Sequence, residues 1–308
     1  MQQKQQHNAE TTHGCVCVTS DHITSFKLGL KKINETDKMM ASKLPPLLMF
    51  IQVMTWCDAN GVEQRDVFVV LSLTNDKTGW GAQEVEKLVF KSEQCKPIMK
   101  ECTKLWHWSD HGGPFTAELM AGFLLAELPQ MFRKLTTVEA NTFASRHGKG
   151  LADCYGSICS KWLRQKQQTD EGLMPDMAQI LAHLRREAAD KYGTKPHFRM
   201  HFLEWKPTAP EDSYFTVETK NTRKSYSKRF RRRQNGDVVI VEQGLATDPD
   251  AHELVGDVIE TELTLHHRNL QPKPKRKTTP KQPNKKLTEA ADWRLKFANT
   301  RYNVTFVN

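Results

Sequence analysis

The sequence predicts an α/β fold, a mixed sheet with flanking helices. Three observations carry it. Short stretches rich in Val, Ile, Leu and Phe recur along the first half of the 308-residue chain, and from the third onward they alternate with amphipathic stretches of helical length. The second and third of these stretches are joined by "DANG" (58–61), an Asn-Gly turn that makes them a hairpin. No run approaches the roughly 18 apolar residues of a membrane helix.

"GCVCVTSD" (14–21) is a strand: short, Val-rich, opened by Gly and closed by polar residues. "LLMFIQVMTWC" (47–57) is the second, and "DVFVVLSL" (66–73) returns as the third. Its unbroken apolar run predicts burial on both faces. "GAQEVEKLVFKSEQ" (81–94) is a helix with Val85, Leu88 and Val89 on one face. "TKLWHWSD" (103–110) is the fourth strand, with Trp106 and Trp108 as packing residues. "FTAELMAGFLLAEL" (115–128) is a helix that Pro129 should end. "TVEANTFAS" (137–145) is the fifth strand and "GLADCYGSICSKWLRQK" (150–166) the next helix. Three strands, helix, strand, helix, strand, helix is the order of a ribonuclease-H-like fold, in which helical crossovers set strands four and five parallel to strand one. The link 22–46 is longer than that fold needs.

Strands one and four end alike, in Ser20-Asp21-His22 and Ser109-Asp110-His111. Neighbouring strands in this order would set Asp21 and Asp110 side by side at the carboxyl ends, where α/β sheets bind their ligands. Like charges so placed need a cation between them, and Mg²⁺ (or Mn²⁺) suits hard oxygen donors. On the last helix, Leu151, Tyr155, Ile158, Cys159, Trp162 and Leu163 form the apolar face. Asp153 lies opposite, in a small polar stripe with Gly156, Ser157, Ser160 and Arg164 that leaves room for a substrate or metal. A lone Asp at a helix start is also an ordinary cap; the conjunction of three Asp residues on three expected elements points to a metal site. His147 and Lys149, in the glycine-rich corner before that helix, would hold phosphate.

These residues resemble the eukaryotic DDE/D-type transposases and their domesticated relatives, over residues 14–166. "WSDHGGPF" (108–115), "FVVLSLTND" (68–76) and, most specifically, "FASRHGKGLADCYGSICSKW" (143–162) carry the resemblance. Cys154 stands where that family usually has Gly after the Asp. The resemblance implies Asp21, Asp110 and Asp153 as catalytic metal ligands for DNA cleavage and strand transfer. It also admits a decayed or domesticated copy, and a non-catalytic DNA-binding or scaffold derivative.

The net charge of +9 is uneven: residues 1–170 hold 20 Lys/Arg against 18 Asp/Glu, and residues 171–308 hold 25 against 18. Two blocks dominate, "TRKSYSKRFRRR" (222–233) and 268–286. With no acid nearby in sequence, Arg223, Lys224, Lys228, Arg229, Arg231, Arg232 and Arg233 are expected to contact DNA phosphates. The expected organisation is a disordered 1–13, a core over 14–170, a helix within 171–194, a small β-rich basic region over 195–265, and a basic, mostly disordered tail over 266–308. "PKPKRK" (272–277) resembles a nuclear-import signal. The start lacks an apolar h-region, so no signal peptide is expected. Seven Cys without a CxxC pair suggest reduced thiols in an intracellular, nuclear protein. DNA is the expected partner, a membrane is not, and homo-oligomerisation is left open.

Overall fold

The computed structural model describes residues 1–27, 46–74, 78–110, 118–143, 150–169, 176–207, 213–217, 227–232, 239–244, 246–247, 254–255, 259–261 and 263–267. An N-terminal helix, α1 (Gln2–Thr11), precedes β1 (Cys15–Lys27), β2 (Pro46–Cys57) and β3 (Glu63–Ser72). Next come α2 (Gly79–Lys91), α3 (Lys96–Lys100), β4 (Lys104–Ser109), α4 (Glu118–Gly122), a π turn (Phe123–Glu127) and α5 (Leu128–Met131). Then follow β5 (Thr137–Thr142), α6 (Leu151–Gln167), α7 (Met177–Tyr192) and β6 (Phe198–Glu204). The described chain closes with β7 (Ser213–Val217), β8 (Ser227–Arg232), β9 (Val239–Gly244), β10 (Ala246–Thr247), β11 (Leu254–Val255), β12 (Ile259–Thr261) and β13 (Leu263–His267).

The fold is α/β. Nine strands form one mixed sheet in the order β12-β9-β8-β5-β4-β1-β2-β3-β6. At its centre β1, β2 and β3 are antiparallel neighbours, while β4 and β5 run parallel to β1. The β2–β3 hairpin turns where expected: Asp58 Oδ1 accepts from the amides of Asn60 (2.9 Å) and Val62 (3.0 Å). Gly61 there has φ +79°, a conformation that a Cβ would strain.

Strand alternation splits the apolar residues between two faces. Phe50, Met54, Phe68 and Val70 pack with Val85, Val89 and Phe123 from α2 and the π turn. Ile51, Val53, Val67 and Val69 pack with Tyr155, Trp162, Ile180 and Leu184 from α6 and α7. Helices on both faces explain why β2 and β3 read as continuous apolar runs.

Three expectations change. Pro129 does not end its helix; it lies in the first turn of α5, where a missing N–H costs nothing. The amide of Leu128 bonds instead to the carbonyl of Phe123, five residues back. Residues 1–13 are not disordered. Gln5, 2% exposed, receives the indole N–H of Trp108 (2.8 Å) and donates to Glu139 Oε2 (3.0 Å), pinning α1 across β4 and β5. These are contacts between residues far apart in sequence, which no local propensity of "QQKQQHNAET" announces.

The strands of 195–265 do not stand apart either. β6 adds in parallel to the free edge of β3, and β8, β9 and β12 extend the sheet beyond β5. The expected boundary near 170 therefore cuts through one sheet. Residues 268–308, with the basic tail, lie outside the described residues.

Replacing Gln5 with Ala should lower stability by about 2 kcal/mol, because the buried indole N–H of Trp108 loses its acceptor. Urea titration and limited proteolysis read it out together. An unchanged midpoint with a protease-resistant N-terminus would mean that α1 docks by other contacts.

Candidate active site

The register of β1 against β4 sets the site. Their last paired residues are Ser20 and Ser109. Each chain then continues into an aspartate, so Asp21 and Asp110 occupy the next step at the carboxyl ends of two parallel neighbours. β4 stops there, whereas β1 runs on beside β2, with Asp21 opposite Ile51. Asp21 therefore lies within a strand instead of ending one.

Asp21 shares the sheet face of Cys17 and Thr19. Cys17 packs with Trp106, Trp108 and Ala9 of α1, so Trp106 and Trp108 are packing residues as expected. The chain enters α6 on this same face through Gly150. A Cβ on Gly150 would lie 3.3 Å from Thr19 Cγ2 and 3.9 Å from the Phe143 ring, so any larger residue would have to push the Thr19 methyl aside by a few tenths of an ångström.

That approach brings Asp153 to Asp21. The two carboxyls are close enough for Asp153 to oppose the ionisation of Asp21. The Asp21 carboxyl is pushed up to about 7, first by desolvation and then by the charge of Asp153; Asp110 adds a smaller push, and the hydrogen bond from the His22 amide (2.7 Å) opposes them. Asp153 serves as a cap as well, since its Oδ2 accepts from the Gly150 amide at 3.0 Å. The site is thus a close pair of carboxyls, Asp21 and Asp153, with a third, exposed one just past the end of the next strand. His147 and Lys149 lie outside the described residues.

A hard divalent cation suits oxygen donors of this kind, and it would relieve the repulsion between them. Among the described residues, however, no group of three or more His, Cys, Asp or Glu side chains is disposed to hold a metal ion. The stripe beside Asp153 also differs from expectation. Gly156 and Ser160 are buried, because α6 sits close on the sheet; Ser157 and Arg164 are exposed.

The opposite face holds a polar group that sequence reading missed. Ser20 Oγ lies 3.2 Å from His107 Nε2, which lies 2.9 Å from Glu86 Oε1. All three are essentially inaccessible. They tie β1, β4 and α2 together directly behind Asp21. One signal was legible: His107 occupies an inward position of its strand, and Glu86 lies next to Val85 on the buried side of a helix.

The basic block meets the sheet in an unforeseen way. Residues 227–232 form β8 between β5 and β9, and Lys228 is buried at 8% exposure. The backbone register pairs Arg229 with Glu139 of β5 and with Glu242 of β9. A buried Lys228 is not an open phosphate contact. Arg231 and Arg232 lie on the same strand, whereas Arg223, Lys224 and Arg233 lie outside the described residues.

No helix among the described residues is long and apolar enough to cross a membrane. Comparison of the chain with protein-family models, curated proteins and solved structures finds no match.

Proposed function

We propose that this chain is a ribonuclease-H-like nuclear enzyme, related to the eukaryotic DDE/D-type transposases. It cleaves and joins DNA phosphodiester bonds with two divalent metal ions. One observation carries the reading: Asp21 and Asp153 come together where the pairing of β1 with β4 ends, with the charge of Asp110 beside them. The central order β3-β2-β1-β4-β5, with β4 and β5 parallel to β1, supports the ribonuclease-H-like assignment.

Asp21, Asp110 and Asp153 would hold Mg²⁺ or Mn²⁺. A cation held there supplies charge neutralisation at the phosphate and a more acidic water or DNA 3′-hydroxyl. The protein's own part is to bring together three carboxyls, from β1, the end of β4 and α6, and to release the proton that the raised Asp21 carboxyl holds. His147 and Lys149 would hold the phosphate.

The test is cleavage of plasmid DNA in Mg²⁺ or Mn²⁺ by the parent and by Asp110→Asn, which keeps the side chain's shape and removes its charge. Cleavage by the parent alone is the expected result. Equal cleavage by both sinks the assignment, and so does none by either. A second reading, a transposase-derived DNA-binding or scaffold protein without catalysis, is favoured by one observation: among the described residues no group of three or more His, Cys, Asp or Glu side chains is disposed to hold a metal ion.

Under either reading DNA is bound through phosphates. The tail over 268–286 is the better candidate contact, given that β8 lies within the sheet. Log affinity should fall linearly with log salt, by about 0.9 per phosphate neutralised on a duplex. Replacing the Lys and Arg of 268–286 with Gln should weaken binding to every sequence alike and flatten that slope. Binding that ignores salt would leave the tail a role in import alone.

A further inference from the structure

At the amino ends of β4 and β5, on the opposite edge of the sheet from Asp21, lies a cavity of about 650 Å³. Its floor is apolar: Phe90, Pro97, Met131 and Phe132. Its rim is cationic: Lys91, Lys96, Lys100, Arg133 and Lys134 all line it, and all are exposed. No carboxylate lines it. The nearest acids lie outside, where Glu93 pairs with Lys96 at 2.6 Å and Glu101 pairs with Lys134.

We propose that this cavity is a second nucleic-acid contact, which seats one base of a single strand on Phe132 and Met131 and holds the flanking phosphates with the surrounding cations. An apolar floor inside a ring of positive charge complements a flat, weakly polar group that carries anions on both sides. Stacking on an aromatic face combined with backbone cations is how single strands are held without sequence preference. The volume accommodates a nucleotide unit and is within the range of small-molecule sites. Choosing a nucleic acid over an acidic peptide rests on the phosphodiester reading of the carboxylate site.

The position gives the contact a purpose. β4 connects the two sites, and its six residues span about 20 Å at ~3.3 Å per residue. A strand seated at Phe132 would be anchored about 20 Å from the carboxylates, or about six nucleotide steps at ~3.4 Å each, on a part of the surface that takes no role in the reaction. Anchoring there would hold a DNA end in place without occupying Asp21, Asp110 or Asp153.

The experiment is photo-cross-linking of the full chain to a single-stranded oligothymidylate carrying 5-bromouracil. It is run in EDTA so that catalysis plays no part, and the adducts are mapped by mass spectrometry. Adducts on the peptide containing Met131 and Phe132 are expected. They should fall about tenfold or more in the charge reversal Lys100→Glu/Arg133→Glu, as expected when phosphate contacts are removed. Phe132→Leu keeps the apolar volume and should lose the adduct while retaining most of the affinity, so the test does not depend on one variant folding. Adducts confined to 222–233 and 268–286 would overturn the proposal. Equal competition by thymidine monophosphate would reassign the cavity to free nucleotides, and stronger competition by a Glu/Leu-rich peptide would reassign it to an acidic protein segment. The same preparation is assayed for plasmid cleavage in Mg²⁺. Adducts without cleavage retire the catalytic reading and leave the cavity's role standing.

Discussion

Asp21→Asn is expected to lose metal-dependent cleavage by at least about 10²-fold, the scale on which removing one transition-state charge stabiliser is felt. The same substitution should make the metal-free protein more stable above pH 7. The two effects share one cause. An unfolded aspartate ionises near pH 4, whereas the folded Asp21, desolvated and facing Asp153, is pushed up to about 7. Between these values the folded state binds more protons than the unfolded one, so this group's contribution to stability falls as pH rises and is fully lost above about 7. Taken whole, the shift would be worth about 4 kcal/mol. Asp21 is only part-buried, and solvent screening reduces this to about 1–2 kcal/mol, or a few degrees of Tm. Asparagine removes the charge and the penalty with it. Adding Mg²⁺ should raise the Tm of the parent and not that of the variant, since only the parent retains the full donor set. A variant less stable than the parent at pH 8, together with a parent whose Tm ignores Mg²⁺, would show that the pair is an ordinary cap and not a strained site.

Asp66→Ala should be among the most destabilising single changes in the chain. Asp66 is 1% exposed and receives four hydrogen bonds of 2.8 Å: two from the Arg199 guanidinium, one from His201 Nε2 and one from the Trp56 indole. The burial of Asp66 opposes its ionisation, but these donors together hold the carboxyl down at about 2. Truncation leaves three donors facing an empty space. Losing one partner of a buried pair typically costs about 3–5 kcal/mol; the Arg199 side chain is 42% exposed and can turn to water, which places the loss near about 3 kcal/mol. A carboxylate with a depressed pKa stabilises above its unfolded value and loses that contribution as pH falls from about 4 to about 2. Acid titration of the parent should show this loss and the variant should not. Urea midpoints within experimental error of each other would refute the clamp.

The central sheet was legible because its signals are local. Val-rich runs, the Asn-Gly turn and the 3.6-residue spacing of 81–94 and 150–166 each lie within a short window, and β1–β5 with their helices follow. The meeting of Asp21 and Asp153 was legible because topology converts sequence order into neighbourhood. What was not legible depends on distant partners. Gln5 needs Trp108 and Glu139 before α1 has anything to dock on. β8 needs the edge of β5 before a basic segment becomes an inner strand with Lys228 buried. Glu86 and His107 conceal each other: each alone looks misplaced in an apolar face, and each supplies the other with a buried partner.

The attachment of β6 to β3 has a consequence for synthesis. Asp66 and Arg199 are 133 residues apart. At about 5–20 residues per second, a ribosome that has completed β3 needs roughly seven to twenty-seven seconds to deliver the strand that covers its edge. During that interval the hydrogen-bonding groups alongside Val67, Val69 and Leu71 stand open, the condition in which nascent chains pair with one another. A fragment stopped after α6 would make that interval permanent. The shortest soluble piece of this protein should therefore extend past Glu204, well beyond the last element that carries a candidate catalytic residue.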